Sequence, residues 1–153
     1  MEEHPIAVLR LSDLDLELAR KAMTEVNGRA VNDVAVQEFL RDPSCYLIVA
    51  ESNGTLVGAL NGYALRRPYR PEPQFLLYEV DVRPNWQNQG IGKKLVSAFI
   101  EEARRRGAFE VWVLTERSNE TAVSVYRHCG LSQENPDANA VMMNILLDRV
   151  RTN

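Results

Sequence analysis

The chain has 153 residues, 45% of them apolar, and a formal net charge of −3 at pH 7. That length suits a single domain over residues 1–153, and the acidic balance argues against a general nucleic-acid-binding protein. No apolar run is long enough to span a membrane, and the acidic start Met1-Glu2-Glu3 does not resemble a secretion signal. Two cysteines, Cys45 and Cys129, are too few for a disulfide framework and lack metal-ligand spacing. These features predict a reduced, cytoplasmic protein with no bound metal and no nucleic-acid or membrane partner.

The first half of the chain predicts a strand, two helices and a β-hairpin. Ser12 is a suitable N-cap for the first helix, whose apolar residues recur at helical spacing until Asn27-Gly28. The turn residues Asn53-Gly54 separate two β-branched, apolar runs, as in a tight hairpin. The proline-rich stretch 66–73 is predicted to be a surface loop. In chain order, the predicted elements are a strand at 6–11, helices at 13–27 and 32–41, and strands at 45–50 and 55–65.

The second half predicts strands that alternate with helices around a short loop containing two glycines. The loop follows a β-branched strand and precedes an amphipathic helix. In chain order, the predicted elements are a strand at 75–82, a helix at 93–106, a strand at 109–114, a helix at 119–129 and, after a polar loop at 134–139, a strand at 141–147.

The strand, the glycine loop and the helix start together predict a site for a phosphate group. The first N–H groups of a helix have no partner within it, and the helix dipole adds positive potential there. A Walker loop is excluded because it requires glycine at Gln87 and Ser or Thr at Lys94. A dinucleotide-binding fingerprint is disfavoured because Leu95 stands where a third small residue belongs. Gly90 and Gly92 would let the backbone approach a pyrophosphate closely.

A second motif, Asn119-x-x-Ala122-x-x-x-Tyr126-x-x-x-Gly130-Leu131, follows the strand at 109–114. Asn119 suits a helix N-cap, and Gly130 suits the left-handed position after a helix. Taken with Gln87-x-x-Gly90-x-Gly92 after Val82-Arg83-Pro84, this motif resembles the acetyl-coenzyme-A site of the GCN5-related N-acetyltransferase (GNAT) family. The resemblance covers residues 74–131.

This resemblance implies a single-domain α/β (α+β) GNAT fold, with a mixed, mostly antiparallel sheet of about six to seven strands and about four helices. It also implies acetyl-coenzyme A as the cosubstrate, with Asn119 touching the coenzyme and Tyr126 near its sulfur. The helices at 13–27 and 32–41 would border the acceptor groove. The coenzyme-binding residues expected from the motifs are Val80, Val82, Gln87, Asn88, Gln89, Gly90, Ile91, Gly92, Lys93, Asn119, Ala122 and Tyr126.

Acetyl transfer to an amine requires an unprotonated amine, stabilisation of an oxyanion and a proton for the departing thiolate. Period-two alternation in the strand at 75–82 places Leu77, Glu79 and Asp81 on one face, with the two carboxylates about 7 Å apart. Glu79 is favoured as the base, directly or through a water, and Asp81 is the alternative. Tyr126 is the candidate acid, with helix packing as its alternative role. A backbone N–H near Val82 is the expected oxyanion donor, because the strand must splay there to admit the coenzyme.

Residues 58–92 resemble one branch of the family, the aminoglycoside 3-N-acetyltransferases of type I. The shared features are Gly58-Ala59-Leu60 with Tyr63-Ala64-Leu65, a proline-bearing loop, and a strand with Tyr78, an acid and Val80. At Glu79 that branch carries an aspartate near the acceptor amine, which is a conservative departure. The resemblance implies direct acetyl transfer, in a ternary complex, to the 3-amino group of an aminoglycoside. It also implies a homodimer and a role in antibiotic resistance. The expected substrate-binding residues are Tyr78, Glu79, Asp81, Glu134 and Asp137.

Two other functions stay open at this point. The same chemistry could act on another small amine or a peptide amine, or the fold could serve as a non-catalytic acyl-coenzyme-A sensor. The basic residues Arg66, Arg67 and Arg70 argue against a polycationic substrate unless they face the coenzyme's phosphates or solvent. The two carboxylates and Tyr126 favour catalysis over sensing.

Overall fold

The computed structural model describes residues 4–133 and residue 143 of the chain. Within residues 4–133, five strands form one sheet in the order β1-β2-β3-β4-β5. The strands are β1 Ala7–Arg10, β2 Cys45–Ser52, β3 Thr55–Arg67, β4 Arg70–Val82 and β5 Glu110–Val113. The helices are α1 Leu16–Lys21, α2 Asp33–Arg41, α3 Ile91–Arg105 and α4 Glu120–His128, with a π-helical turn Ala22–Val26 after α1 and a 3-10 turn Pro84–Trp86 after β4.

This architecture confirms the predicted mixed α/β fold with four helices. The described sheet has five strands, fewer than the expected six to seven. The strand predicted at 141–147 lies outside the described residues. None of the helices within 4–133 is long and apolar enough to cross a lipid bilayer.

The pairing of β4 opens a cleft at one end of the sheet. Strands β1 to β4 pair antiparallel, whereas β4 and β5 pair parallel. The parallel pairing joins only Gln74–Leu77 of β4 to Glu110–Val113 of β5. Beyond it, residues 78–82 continue along β3 with no strand partner on the β5 side among the described strands. A strand edge without a partner presents free backbone N–H and C=O groups.

Apolar side chains cover both faces of the sheet and hold the helices there. The face toward α3 and α4 carries the larger cluster, which includes Ile48, Leu60, Phe75, Leu77, Leu95, Phe99 and Tyr126. The opposite face packs against α1, the π-helical turn and α2 through Leu47, Val49, Ala59, Ala19, Ala22, Val36, Phe39 and Leu40. The three inner residues predicted for the helix after the glycine loop, Leu95, Phe99 and Ala103, are all buried.

Gly62 allows α3 to lie close against the centre of the sheet. A Cβ on Gly62 would lie 2.5 Å from Cζ of Phe99 and 2.7 Å from the carbonyl oxygen of Leu76. Phe99 is fully buried and contacts the rings of Tyr46 and Phe75, with centroids 6.1 and 5.4 Å away. The ring has little room to retreat, so glycine is required at position 62.

Two boundaries differ from the prediction for local reasons. The first helix begins at Leu16 instead of next to Ser12, because the carboxylate of Asp15 accepts the Ser12 N–H at 2.8 Å and closes a turn before the helix. The predicted loop 66–73 is mostly strand, since Arg67 pairs with Arg70 across a two-residue turn. Proline is tolerated at positions 71 and 73 because neither residue has a ladder partner in β3 or β5. The Pro73 carbonyl accepts the Phe109 N–H at 3.1 Å, a bond that needs no N–H from proline.

Candidate functional site

A β-bulge in β4 sets the direction of the predicted carboxylates. Asn61 lies opposite Glu79 and Gly62 lies opposite Leu77, so Tyr78 is an extra residue in β4. Leu77 is buried in the core under α3 and α4, whereas Glu79 points to the other face. The prediction that Leu77 shares a face with the two carboxylates is therefore wrong, because the bulge interrupts the period-two alternation.

Glu79 and Asp81 do share a face, and the chain that follows α1 contacts both. Arg29 approaches Glu79, with its Nη2 2.8 Å from Oε1, and the Nδ2 of Asn61 donates to Oε2 at 3.2 Å. The Nδ2 of Asn27 donates to Oδ2 of Asp81 at 2.5 Å. The face that carries these carboxylates is the one bordered by α1 and α2, where the acceptor groove was expected. We call this surface of Asn27, Arg29, Asn61, Glu79 and Asp81 the carboxylate face.

Two amide oxygens on the carboxylate face are buried without a hydrogen-bond partner. They are the Oδ1 atoms of Asn27 and Asn61. Each amide must direct its NH₂ group at the neighbouring carboxylate, since the reverse orientation would oppose two oxygens. The unpaired oxygens therefore remain acceptors. Because these amide oxygens are buried, the carboxylates of Glu79 and Asp81 are the acceptors that a ligand with N–H donors can reach on this face.

Aromatic rings form one wall beside this surface. Tyr63 packs edge-to-face with Phe39 of α2 and with Tyr78, with centroids 5.8 Å apart in both pairs. Burial raises the pKa of Tyr63, and the nearby acidic groups of Cys45, Tyr78 and Glu79 raise it further. The Tyr78 side chain, extruded by the bulge, is 65% exposed. Tyr78 is therefore available for contact with a ligand on the carboxylate face.

The free edge of β4 points backbone N–H groups into the cleft. Arg83 donates its N–H to the Val57 oxygen on β3 at 2.9 Å. Because N–H groups alternate in direction along a strand, those of Val80 and Val82 point away from β3. The Val82 carbonyl on the same edge accepts from Nε2 of Gln87 at 3.1 Å. The expected oxyanion donor near Val82 thus has a suitable direction.

The loop after β4 ends in a helix N-terminus that no side chain caps. Gly90 is the N-cap of α3 with φ of 79°, and no side-chain hydrogen bond caps the helix. Asn88 also has a positive φ of 61°. A Cβ on Gly92 would lie 3.8 Å from the Val125 methyl groups and 3.9 Å from a Val82 methyl, so position 92 faces the space between β4 and α4. The uncapped N–H groups beside that space fit a pyrophosphate.

Helix α4 borders the cleft from the other side. The Oδ1 atom of Asn119 accepts the Ala122 N–H at 3.2 Å, which confirms the predicted N-cap. Gly130 has φ of 96° and ends the helix as predicted. Tyr126 is 8% exposed and belongs to the core. Burial raises the pKa of its phenol, and the charge of Asp81 raises it further, so the hydroxyl keeps its proton at neutral pH and lies within electrostatic range of Asp81.

The structure brings most of the predicted site residues to the two sides of one cleft. Glu134 and Asp137 lie outside the described residues. No group of three or more His, Cys, Asp or Glu side chains able to hold a metal occurs in the described part of the chain. The sequence analysis missed Asn27, Arg29 and Asn61. A polar Asn61 inside the apolar run 55–65 was the available signal for the last of these.

Comparison with known proteins gives the family. Residues 15–131 match the Acetyltransferase (GNAT) family. The chain belongs to this family. The fold and the two motifs of the GNAT resemblance therefore agree with an independent comparison.

Several GNAT relatives and solved structures resemble the chain. An aminoglycoside acetyltransferase from an uncultured soil metagenomic sample, solved in complex with trehalose and with sisomicin, is 27% identical with a TM-score of 0.78, covering 94% of this chain and 97% of that one. N-acetyltransferase 8 of Rattus norvegicus is 29% identical over 63% of this chain and 44% of its own length. The ribosomal protein bS18-alanine N-acetyltransferase of Escherichia coli K12 is 32% identical over 37% of this chain and 38% of its own. The chain thus matches less than half the length of these two curated relatives.

Proposed function

We propose that the chain is an acetyl-coenzyme-A-dependent N-acetyltransferase whose acceptor is an aminoglycoside. This polycationic small molecule would be acetylated on its 3-amino group. The observation that carries the proposal is the carboxylate face, where the carboxylates of Glu79 and Asp81 lie together beside the open edge of β4. Such a surface attracts ammonium groups and rejects anions. The similar metagenomic acetyltransferase that was solved with sisomicin supports this acceptor class.

The cleft between β4 and α4 is the proposed seat of the cosubstrate. The uncapped N–H groups of α3 would hold the pyrophosphate, and the edge N–H group of Val80 would pair with the coenzyme's amide-containing arm. Bound there, acetyl-coenzyme A supplies the thioester at the end of the cleft. The carboxylate face then presents the amine from the α1 and α2 side of the sheet, and α4 presents Tyr126 from the other.

In direct acetyl transfer, a side chain on one side of the cleft acts as the base and a side chain on the other side acts as the acid. Glu79 takes a proton from the acceptor ammonium, and the freed nitrogen forms its bond to the acetyl carbon as the carbon–sulfur bond breaks. General-base help of this kind contributes about 10² to 10⁴ in rate. The Val82 N–H donates to the developing oxyanion, and Tyr126 passes its proton to the departing sulfur. The bonded nitrogen then sheds its second proton, which restores the Tyr126 phenol. Asp81 is the alternative base.

Thiol release from acetyl-coenzyme A in the presence of an amine panel tests the proposal. Aminoglycosides with a free 3-amino group should be turned over, whereas those with that group blocked should not. Glu79→Gln should abolish most of the rate, while the matched exposed change Glu101→Gln on α3 should not. Turnover of aminoglycosides whose 3-amino group is blocked would reject that group as the site of acetylation. Inactivity on every aminoglycoside would reject aminoglycosides as the acceptor class.

A peptide amine is the second candidate acceptor. The Escherichia coli relative is named for acetylating the alanine of ribosomal protein bS18, which is a peptide amine. Peptides in the same panel separate the two acceptors. Coenzyme binding without turnover of any amine would instead favour an acyl-coenzyme-A sensor.

A further inference from the structure

Arg29 places a cation on the carboxylate that the proposed reaction needs. Its Nη2 lies 2.8 Å from Oε1 of Glu79, and Oε2 of the same carboxylate accepts from Asn61. A guanidinium holds five donors and no acceptor, and it stays charged at any ordinary pH. We propose that Arg29 is a built-in competitor, which occupies the place of the acceptor's ammonium group on Glu79 and must leave before the acceptor binds. This inference rests on the proposed function for the identity of the acceptor.

Competition follows from charge and from the geometry of the carboxylate. Both oxygens of Glu79 already have a donor, and the side chain of Glu79 is only 22% exposed. A carboxylate has about four acceptor positions, so an incoming ammonium group finds a free lone pair, but at Oε1 it lies next to the Arg29 guanidinium. Arg29 carries the same positive charge as the incoming ammonium group, and two cations at one carboxylate oxygen repel each other. The amide of Asn61 lies within β3 and is uncharged, so it stays.

The Arg29 side chain is also the contact that can leave at low cost. It is 64% exposed, and its ion pair with Glu79 is the only one it makes within residues 4–133. Half-exposed pairs of this kind favour the closed arrangement by a factor of about 2 to 5. The backbone stays in place, since the Arg29 N–H is bonded to the Met23 oxygen at 2.9 Å after Gly28 at φ of 63°. Asn27, in the same turn, can keep its bond to Asp81 while the arginine side chain swings out.

A competitor multiplies the apparent association constant of the acceptor by the fraction of molecules in which the site is open. Removing it should therefore tighten acceptor binding by about 3- to 6-fold. A residue that only orients Glu79 would have the opposite effect, because its loss would weaken binding. The sign of the change thus separates the two roles.

The test measures dissociation constants by titration calorimetry with gentamicin and with spermine at fixed ionic strength. Arg29→Gln should bind both probes about 3- to 6-fold more tightly, with KM for the acceptor lowered by the same factor and KM for acetyl-coenzyme A unchanged. Arg20→Gln, which removes an equal charge from the ion pair with Asp33 (2.7 Å), is the matched control and should leave binding unchanged. In a Glu79→Gln background, Arg29→Gln should give no gain.

Three results would overturn the inference. These are unchanged or weaker binding by Arg29→Gln, an equal gain in the Glu79→Gln background, and no binding of either probe by any form of the protein. Failure of the proposed function is a different result, namely binding of amines without thiol release. In that case the comparison of dissociation constants still decides the role of Arg29.

Discussion

Replacing Gly92 by alanine should make the protein more stable and worse at binding its cosubstrate. The added Cβ would meet Val125 and Val82 at 3.8 and 3.9 Å, which is ordinary contact, so the folded chain accommodates it. Alanine is favoured over glycine in a helix by about 0.5–1 kcal/mol. For a chain of this size, that gain raises Tm by about 1–4 °C.

The same methyl group would narrow the space in which the cosubstrate is proposed to lie. Inserting one methyl into a filled site costs about 1–3 kcal/mol. The dissociation constant for coenzyme A should therefore rise about 5- to 100-fold. Calorimetric titration gives the affinity and a thermal melt of the free protein gives the stability, so both halves of the prediction use one preparation.

Two further variants isolate the cause. Ser97→Ala on α3 gives up only a weak 3.7 Å contact with the Cys129 sulfur, so it should raise Tm for the same helical reason without changing coenzyme affinity. Gly90→Ala should lower stability by about 1–2 kcal/mol, because position 90 has φ of 79°. A Gly92→Ala protein with raised Tm and unchanged affinity would refute the reasoning, since the coenzyme would then not pass position 92.

Other substitutions test the remaining parts of the site and fold. Glu79→Gln should lower kcat by about 10²- to 10⁴-fold in the thiol-release assay, and a larger loss in Asp81→Asn would make Asp81 the base instead. Tyr126→Phe should lower kcat with little change in KM. The raised pKa of Tyr126 means that the folded protein holds this proton more tightly than the unfolded chain, so the resulting stability is present below about pH 10 and is lost as the pH rises through the folded pKa. Denaturant titrations of wild type and Tyr126→Phe should therefore show a steeper alkaline loss in wild type. Gly62→Ala should lower stability by about 1–3 kcal/mol, with Phe99 displaced, and an unchanged Tm would show that the α3 contact yields easily.

Local signals explain the parts of the site that the sequence predicts well. The N-cap Asn119, the helix-ending Gly130 and the turn at Gly90 each depend on backbone geometry within a few residues. The inward residues of α3 follow from helical periodicity alone. These signals place the turn at Gly90 and α4 correctly because no distant contact is needed to specify them.

Contacts between distant segments explain what the sequence could not show. The bulge at Tyr78 has no turn residue to mark it, yet it decides that Leu77 points to the core under α3 and α4 while Glu79 points to the opposite face of the sheet. Arg29 and Asn27 lie about fifty positions before their carboxylate partners (|i−j| of 50 and 54), in a turn whose path depends on packing against the sheet. Neither the pattern of charges nor the period of apolar residues carries that information.

The edge of β4 at residues 78–82, which has no partner on the β5 side among the described strands, affects the stability of the protein in the cell. An open strand edge invites pairing with another chain, and the charged side chains of Glu79 and Asp81 guard this one against self-association. A cosubstrate that pairs with the edge would complete the sheet and protect the folded state by mass action, by about 2.7 kcal/mol at a hundredfold excess over Kd. Amide hydrogen exchange at Val80 and Val82 should then slow when coenzyme A is added. Protein abundance would in this way follow the supply of activated acetyl groups.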